Sequence, residues 1–277
     1  TSSLFLRHFV TCEGDRRSRI LTKRITAVRA TVTSRKFVIE GGKPLHGTVR
    51  VSGSKNGALY CLAACLLTGD EVILDNVPQI DDVPVMTAIF NALGAETVDE
   101  GNGTWRIRAA DIDRFDSPND LAVMQRASFL TMGPLLGRFG TAASCSPGGD
   151  VHIDGFEALG ASVSRRGEQY LAESPNRSRL RAARIFLDYP SATGTMNVIF
   201  ASVLADGIST IVNAAMEPEI VSVAEMLNTM GAKIRGAGSS SIEVEGVSSL
   251  HGTRHRVIPD RLETGLMMLS AAVTKGE

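Results

Sequence analysis

"ALYCLAACLLTGDE", residues 58–71, is a helix-length apolar run closed by a glycine, and the chain carries the same plan three more times. The further copies are "SFLTMGPLLGRFGTA" (128–142), "NVIFASVLADGIST" (197–210) and "GLMMLSAAVTKGE" (265–277). Their closing glycines, Gly69, Gly140, Gly207 and Gly276, follow one another at intervals of 71, 67 and 69 residues. A steady period of that length marks a fold assembled from one supersecondary unit used repeatedly. Each run is apolar on nearly all faces, so the helix it predicts is an interior one.

A second, amphipathic helix follows in each complete copy: "VPVMTAIFNALGA" (83–95), "IDGFEALGA" (153–161) and "IVSVAEMLNTMGA" (220–232). Met86, Ile89, Phe90 and Leu93 fall at i, i+3, i+4 and i+7, as do Val223, Met226, Leu227 and Met230. Gly94, Gly160 and Gly231 supply left-handed caps. Strand-like runs such as "EVILDNV", "TWRIR", "STIVNAA" and "SIEVEGV" surround them, with a hairpin turn at "GAGSSS". The unit is therefore strand-helix-strand-helix-strand-strand, which predicts an α/β (α+β) protein with helices buried within sheets. Three units are nearly complete, and a fourth reaches Glu277 where its next strand should begin.

The composition, 43% hydrophobic, 5% aromatic and a net charge of −1, fits an ordinary globular chain. No uninterrupted apolar run is long enough for a membrane span, so no membrane role is expected. Cys12, Cys61, Cys65 and Cys145 show no C-x-x-C spacing, and free cysteines buried as small hydrophobes in a reducing cytoplasm fit them best. Between Arg7 and Lys36, nine basic residues face only Glu13 and Asp15. This arm lacks the aromatic interleaving of a nucleic-acid binder and the apolar core of a signal peptide, so a disordered extension over 1–36 is expected and no nucleic-acid partner.

Polar residues precede each interior helix, at "SGSKNG" (52–57), "MQRAS" (124–128), "PSATGTMN" (190–197) and "PDRLETG" (259–265). Helix N-termini offer free N–H groups and the positive end of the dipole to anions, and Lys55, Arg126 and Arg261 would add full charges. A ligand rich in phosphate or carboxylate is implied. "GSKNG" is not a Walker loop, and no G-x-G-x-x-G stands in a strand-to-helix setting, so neither ATP nor a dinucleotide cofactor is expected. His251 and His255 lack a third ligand nearby, so no metal is expected.

At these positions the sequence resembles the UDP-N-acetylglucosamine 1-carboxyvinyltransferase family of enolpyruvyl transferases. The likeness runs from about Phe37 to Glu277 through "IEGGKPLHGTVRVSGSKNGAL", "RASFLTMGPLLGRFG", "LDYPSATGTMN", "NAAMEPEIV" and "HRVIPDRLETG". It implies an inside-out α/β barrel of βαβαββ units in two domains. On that basis 37–52 are first strands packing with the second domain, 53–258 form the first domain and 259–277 begin an incomplete second one. The resemblance also implies two substrates, phosphoenolpyruvate and UDP-N-acetylglucosamine, in the first committed step of peptidoglycan synthesis, with no cofactor. The sister activity on 3-phosphoshikimate is the alternative, but its lysine motif is of the type "GDKS". A non-catalytic nucleotide-sugar-binding fragment is the other reading.

The resemblance assigns Lys55 and Asn56 to phosphoenolpyruvate and Arg126 to the UDP-sugar. Ser191 and Ala192 match part of the diphosphate contact, with Thr193 where the family usually has glycine. After a Pro-Gly-Gly turn the family normally has a loop holding a catalytic cysteine or aspartate and a substrate-gripping arginine. Here "SPGG" (146–149) is followed at once by "DVHIDGFEALGA" (150–161). If Asp150 and His152 match the residues that end that loop, about eight residues are gone; if Asp150 instead stands at the acid position, the shortening follows it. Either alignment implies an impaired catalyst.

Overall fold

The computed structural model describes residues 41–124, 126–145 and 153–277, with Arg126 described by its backbone alone. The basic arm (1–36), Asp150 and His152 lie outside the described residues. The chain divides into two compact units, Val51–Glu263 and a smaller one drawn from Thr1–Arg50 and Thr264–Glu277.

Within Val51–Glu263 the interior helices form where the repeat places them. The first, α1 (Lys55–Ala64), starts because Ser54 is extended and its hydroxyl accepts from the Gly57 N–H at 3.2 Å. After it come β1 (Glu71–Asp75), the amphipathic α2 (Asp82–Leu93) and the hairpin of β2 (Glu96–Gly101) and β3 (Thr104–Arg108). Asn102 and Gly103 both take positive φ (52° and 78°), which the tight turn between those strands requires.

The second copy opens with the short α3 (Asn119–Ala122) and a 3₁₀ segment, Arg126–Thr131, that runs into α4 (Met132–Phe139). It continues through β4 (Thr141–Cys145), α5 (Asp154–Ala158), β5 (Ser162–Arg166) and β6 (Gln169–Glu173). The third holds β7 (Arg184–Phe186), α6 (Ala192–Ser202), β8 (Ile208–Val212), α7 (Pro218–Thr229), β9 (Lys233–Arg235) and β10 (Ser241–Glu245). Beyond it lie β11 (Arg254–Arg256) and α8 (Arg261–Thr274).

Three sheets enclose the interior helices, in the orders β11-β1-β3-β2, β4-β6-β5 and β7-β8-β10-β9. In each, the strand after the interior helix is paired in parallel on one side and antiparallel on the other. Thus β8 lies parallel to β7 (Ile185 opposite Ile211) and antiparallel to β10 (Ile211 opposite Ile242). A single parallel bridge, Asp116 to Ala143, does the same for β4. For β1 the parallel neighbour is β11, which arrives after all three copies are complete, with Ile73 opposite Arg254. The last strand of this set therefore closes onto the first sheet.

Alternation puts Val72 and Leu74 of β1, Ile211 of β8, and Ile242 and Val244 of β10 on inner faces, all fully buried. Met86, Ile89, Phe90 and Leu93 of α2, and Val223, Met226, Leu227 and Met230 on or just after α7, are buried as their spacing predicts. Two glycines set how close the interior helices come. A Cβ on Gly137 of α4 would lie 2.9 Å from the Phe200 carbonyl oxygen of α6, and one on Gly133 would crowd Asn197. In place of that Cβ, the Gly133 N–H donates to Asn197 Oδ1 at 2.9 Å.

Two arginines tie the far ends of interior helices. Arg138, in the last turn of α4, donates to the carbonyls of Leu66 (3.0 Å) and Thr68 (3.1 Å) just beyond α1 and to that of Ala109 (2.8 Å) just after β3. Arg179 does the same for the end of α6, donating to Leu204 (2.8 Å) and Val247 (2.6 Å) while pairing with Asp206. Those of Leu66, Thr68 and Leu204 lie at or beyond helix ends, where carbonyls lack intrahelical donors and a cation is also favoured by the dipole.

Candidate functional site

The N-terminal ends of the interior helices are linked by short polar contacts within Val51–Glu263. A two-stranded connection, with Gly53 bridged to Pro259, sets residues 52–54 beside 258–260. Ser54 N–H donates to Ile258 O and Asp260 N–H to Ser52 O. The Asp260 carboxylate consequently caps two helices at once. It accepts from the N–H groups of Leu262 (2.7 Å) and Glu263 (3.0 Å) at the start of α8 and from that of Lys55 (3.0 Å) at the start of α1. Burial works to raise the Asp260 pKa, but these backbone donors and the Arg261 charge outweigh it and hold the carboxyl below its usual range.

Glu219, in the first turn of α7, is 2% exposed. Arg261 Nε donates to both of its oxygens, at 3.1 and 3.2 Å, and Ser54 Oγ reaches Oε1 at 3.4 Å. Lys55 Nζ pairs with Asp82 Oδ1 at 2.9 Å, with half of the lysine side chain in solvent. Asn56 beside it is also exposed.

At α6, Ser191 is extended and accepts from the Gly194 N–H at 3.2 Å. The first i→i−4 bond runs from Thr195 to Ser191, so the helix itself leaves the N–H groups of Ala192 and Thr193 unpaired. The buried Tyr60 of α1 faces this turn. Burial pushes its phenol up, hydrogen bonding from Thr193 pulls it back, and Glu217, Glu219 and Arg261 lie close enough to act on it. One Glu217 oxygen is buried without a hydrogen-bond partner among the described residues. The 3₁₀ segment that begins at Arg126 packs against both α1 and α6.

Of the residues expected to act, Lys55 and Asn56 open α1, Ser191 and Ala192 open α6, and the backbone of Arg126 opens the segment between them. Asp150 is outside the described residues. The expected excess of positive charge needs correction: Arg261 is committed to Glu219 and Lys55 is shared with Asp82. The Lys55 N–H, expected to be free for an anion, is held by Asp260. Among the described side chains, five carboxylates (Asp82, Glu217, Glu219, Asp260 and Glu263) outnumber these two cations. A phosphate at α1 would therefore draw Lys55 away from Asp82, whereas the N–H groups of Ala192 and Thr193 have no backbone acceptor among the described residues.

Sequence reasoning passed over Asp82, Glu219 and Tyr60. The signal for Glu219 was present in "EPEI", an acid just inside a helix opened by Pro218, but such an acid ordinarily lies in solvent facing the dipole. His255 Nε2 lies 3.1 Å from Ser222 Oγ. No group of three or more His, Cys, Asp or Glu among the described residues is arranged to hold a metal. Nor is any helix among them long and apolar enough to cross a membrane.

Repeated βαβαββ units whose interior helices aim their N-termini at linked polar loops define the enolpyruvyl transferase class of α/β fold. The chain belongs to the EPSP synthase (3-phosphoshikimate 1-carboxyvinyltransferase) family, whose pattern it matches over residues 39–277. It is 45% identical over 249 residues to UDP-N-acetylglucosamine 1-carboxyvinyltransferase 1 of Caldanaerobacter subterraneus subsp. tengcongensis, a match covering 87% of this chain and 59% of that protein. The second such enzyme of Carboxydothermus hydrogenoformans is also 45% identical, over 251 residues, with the same shares covered. The chain thus spans 59% of the length of these relatives. Among solved structures, the enolpyruvyl transferase NikO from Streptomyces tendae superposes with a TM-score of 0.73 at 24% identity, over 81% of this chain and 54% of that one. EPSP synthase from Acinetobacter baumannii superposes at 0.64 with 18% identity, over 84% and 54%. These two likenesses concern the fold.

Proposed function

We propose that this chain carries the nucleotide-sugar half-site of a UDP-N-acetylglucosamine 1-carboxyvinyltransferase acting in cytoplasmic peptidoglycan synthesis. In that reaction the sugar 3′-hydroxyl oxygen bonds to C2 of phosphoenolpyruvate. The hydroxyl proton passes to a base, and an acid protonates the methylene carbon. The C2–O bond to phosphate then breaks, a methyl proton leaves, and the enol double bond is restored. Such chemistry needs positive charge at phosphate and carboxylate, and an acid and a base near the reacting carbons.

In this reading Lys55 and Asn56 hold phosphoenolpyruvate, Lys55 by exchanging Asp82 for the ligand's phosphate. Ser191, Ala192 and Arg126 hold the UDP-sugar, the diphosphate lying over the unpaired N–H groups at the start of α6. Asp150 serves as the acid only if it replaces the one lost with the loop. The observation that carries the reading is the link between α1 and the start of α6 through Tyr60 and Thr193, within the region that the family pattern matches. Only eight residues separate β4, ending at Cys145, from α5, starting at Asp154, so turnover by this chain is expected to be impaired while binding survives.

Calorimetric titration with UDP-N-acetylglucosamine tests the proposal. Micromolar to millimolar binding that Arg126→Ala weakens by about tenfold or more, the loss of one charge-assisted hydrogen bond, is expected. Absence of heat from a folded chain, or equal affinity in the variant, would overturn it. Binding of 3-phosphoshikimate in its place would favour the sister activity.

A further inference from the structure

Among the buried residues of α1, Tyr60 alone carries a hydroxyl. The rest of that buried run is small, aliphatic or thiol, so packing alone gives no reason for a phenol. At 6% exposure its O–H must find a partner inside the protein. Helical side chains lean toward the N-terminus, so the ring of Tyr60 rises toward the turn that opens at Lys55.

Around the phenol stand Thr193 in the first turn of α6, Glu217 just before α7, and Glu219 and Arg261. With α1 packed along α7, Tyr60 sits where the starts of three helices come together. Arg261 and Glu219 hold each other, and Glu219 also takes the Ser54 hydroxyl. One Glu217 oxygen is buried. Thr193, by contrast, is exposed, and its N–H and that of Ala192 have no backbone acceptor among the described residues.

Burial raises the phenol's pKa above the usual tyrosine value, so Tyr60 is un-ionised at neutral pH and has a hydrogen to give. A donor placed behind the Thr193 oxygen leaves the threonine's own hydrogen free to point out of the protein. The family usually has glycine at this place, which presents an N–H group and nothing more. Threonine adds a hydroxyl to the same turn.

We propose that Thr193 is a further binding residue of the α6 turn, its hydroxyl donating to the diphosphate of the nucleotide sugar beside the Ala192 and Thr193 N–H groups, and that Tyr60 is the buried positioning residue that orients this hydroxyl. The inference rests on the nucleotide-sugar reading given above. A hydroxyl already aimed at the ligand needs no ordering when the ligand binds, which is how a residue without a ligand contact of its own adds to affinity.

Calorimetry with UDP-N-acetylglucosamine on the 277-residue chain tests both roles. Thr193→Ser keeps the hydroxyl, Thr193→Val keeps the shape without it, and Tyr60→Phe removes only the phenol oxygen. Thr193→Ser should bind within about twofold of the parent and Thr193→Val about five- to tenfold more weakly, the loss of one hydrogen bond to a charged group. Tyr60→Phe should weaken binding about threefold with little change in its melting curve. In the double variant Tyr60→Phe/Thr193→Val the losses should not add, because no hydroxyl is left to orient. Binding by Thr193→Val as tight as the parent's would overturn the contact, and additive losses would overturn the positioning role. Both of those results leave the nucleotide-sugar reading in place, since the parent binds. Absence of heat from a folded parent would overturn that reading and this inference together.

Discussion

Arg261 and Glu219 form an ion pair in which the glutamate side chain is inside the protein while nearly half of the arginine side chain is in solvent, at 3.1 Å between Nε and Oε1. The two partners are therefore not equivalent to mutation. Arg261→Met strands a buried charge and should cost about 2–4 kcal/mol, whereas Glu219→Gln keeps an acceptor for Ser54 and Arg261 and should cost about half as much. Urea unfolding of the two variants checks the order. Equal losses, or a greater loss for Glu219→Gln, would show that burial of the carboxylate does not set the energy of this pair.

Arg138 and Arg179 perform one task in two copies of the repeat, and their surroundings predict different strengths. Arg138 is half-buried, its pKa lowered by that burial, and it serves three carbonyls. Arg138→Met should cost about 2–3 kcal/mol, since those carbonyls are left without donors away from water. Arg179 is more exposed and its Asp206 partner is in solvent, so Arg179→Met should cost about 1 kcal/mol. Thermal melts of the pair decide whether desolvation of the carbonyls or the charge pairing dominates.

The interior helices were legible because nothing about them depends on distant sequence: an apolar cylinder ending in glycine is interior wherever it occurs. Gly94, Gly160 and Gly231 take the left-handed conformations their positions suggest, with φ of 102°, 92° and 103°. The closure by β11 was not legible. "RHR" (254–256) has no apolar alternation, and its pairing with Ile73–Asp75 spans the whole set of copies. The site divides along the same line. Ser54 and Ser191 announce themselves as caps by their local pattern, whereas the neutralisation of Lys55 by Asp82 and of Arg261 by Glu219 is made between elements. Only the fold brings those charges together.

His255 makes the closure by β11 sensitive to pH. Its ring is half-buried, with Ser222 of α7 at 3.1 Å, and that burial lowers its pKa against the opposing pull of Glu225. Arg254 and Arg256 flank it on β11, and Leu74 stands opposite on β1. Because the folded pKa lies below the unfolded value of about 6.5, the unfolded chain takes up the proton first as pH falls. The His255 contribution is thus complete above that value and is lost on acidification through the folded pKa. Stability measured from about pH 7.5 down to about 5 should decline more steeply in the parent than in His255→Gln. Parallel curves would mean that the ring titrates alike in both states.

Cys61 and Cys65 lie one helical turn apart at α1, and burial holds the Cys61 thiol at a pKa of about 12. At neutral pH only a vanishing fraction is thiolate, and no reagent reaches it without opening the helix. Both thiols should therefore resist an aromatic disulfide reagent in the native chain and react only at the rate of unfolding. Cys145 is buried too, its pKa raised first by desolvation and then by Glu168, with Sγ donating to Asn119 Oδ1 at 3.1 Å. It should be similarly slow. Rapid labelling of Cys145 with Cys61 and Cys65 untouched would show that the end of β4 opens independently of the interior helices. Rapid labelling of all three would show that α1 is not held as a single interior helix, and that the burial of its residues does not persist in solution.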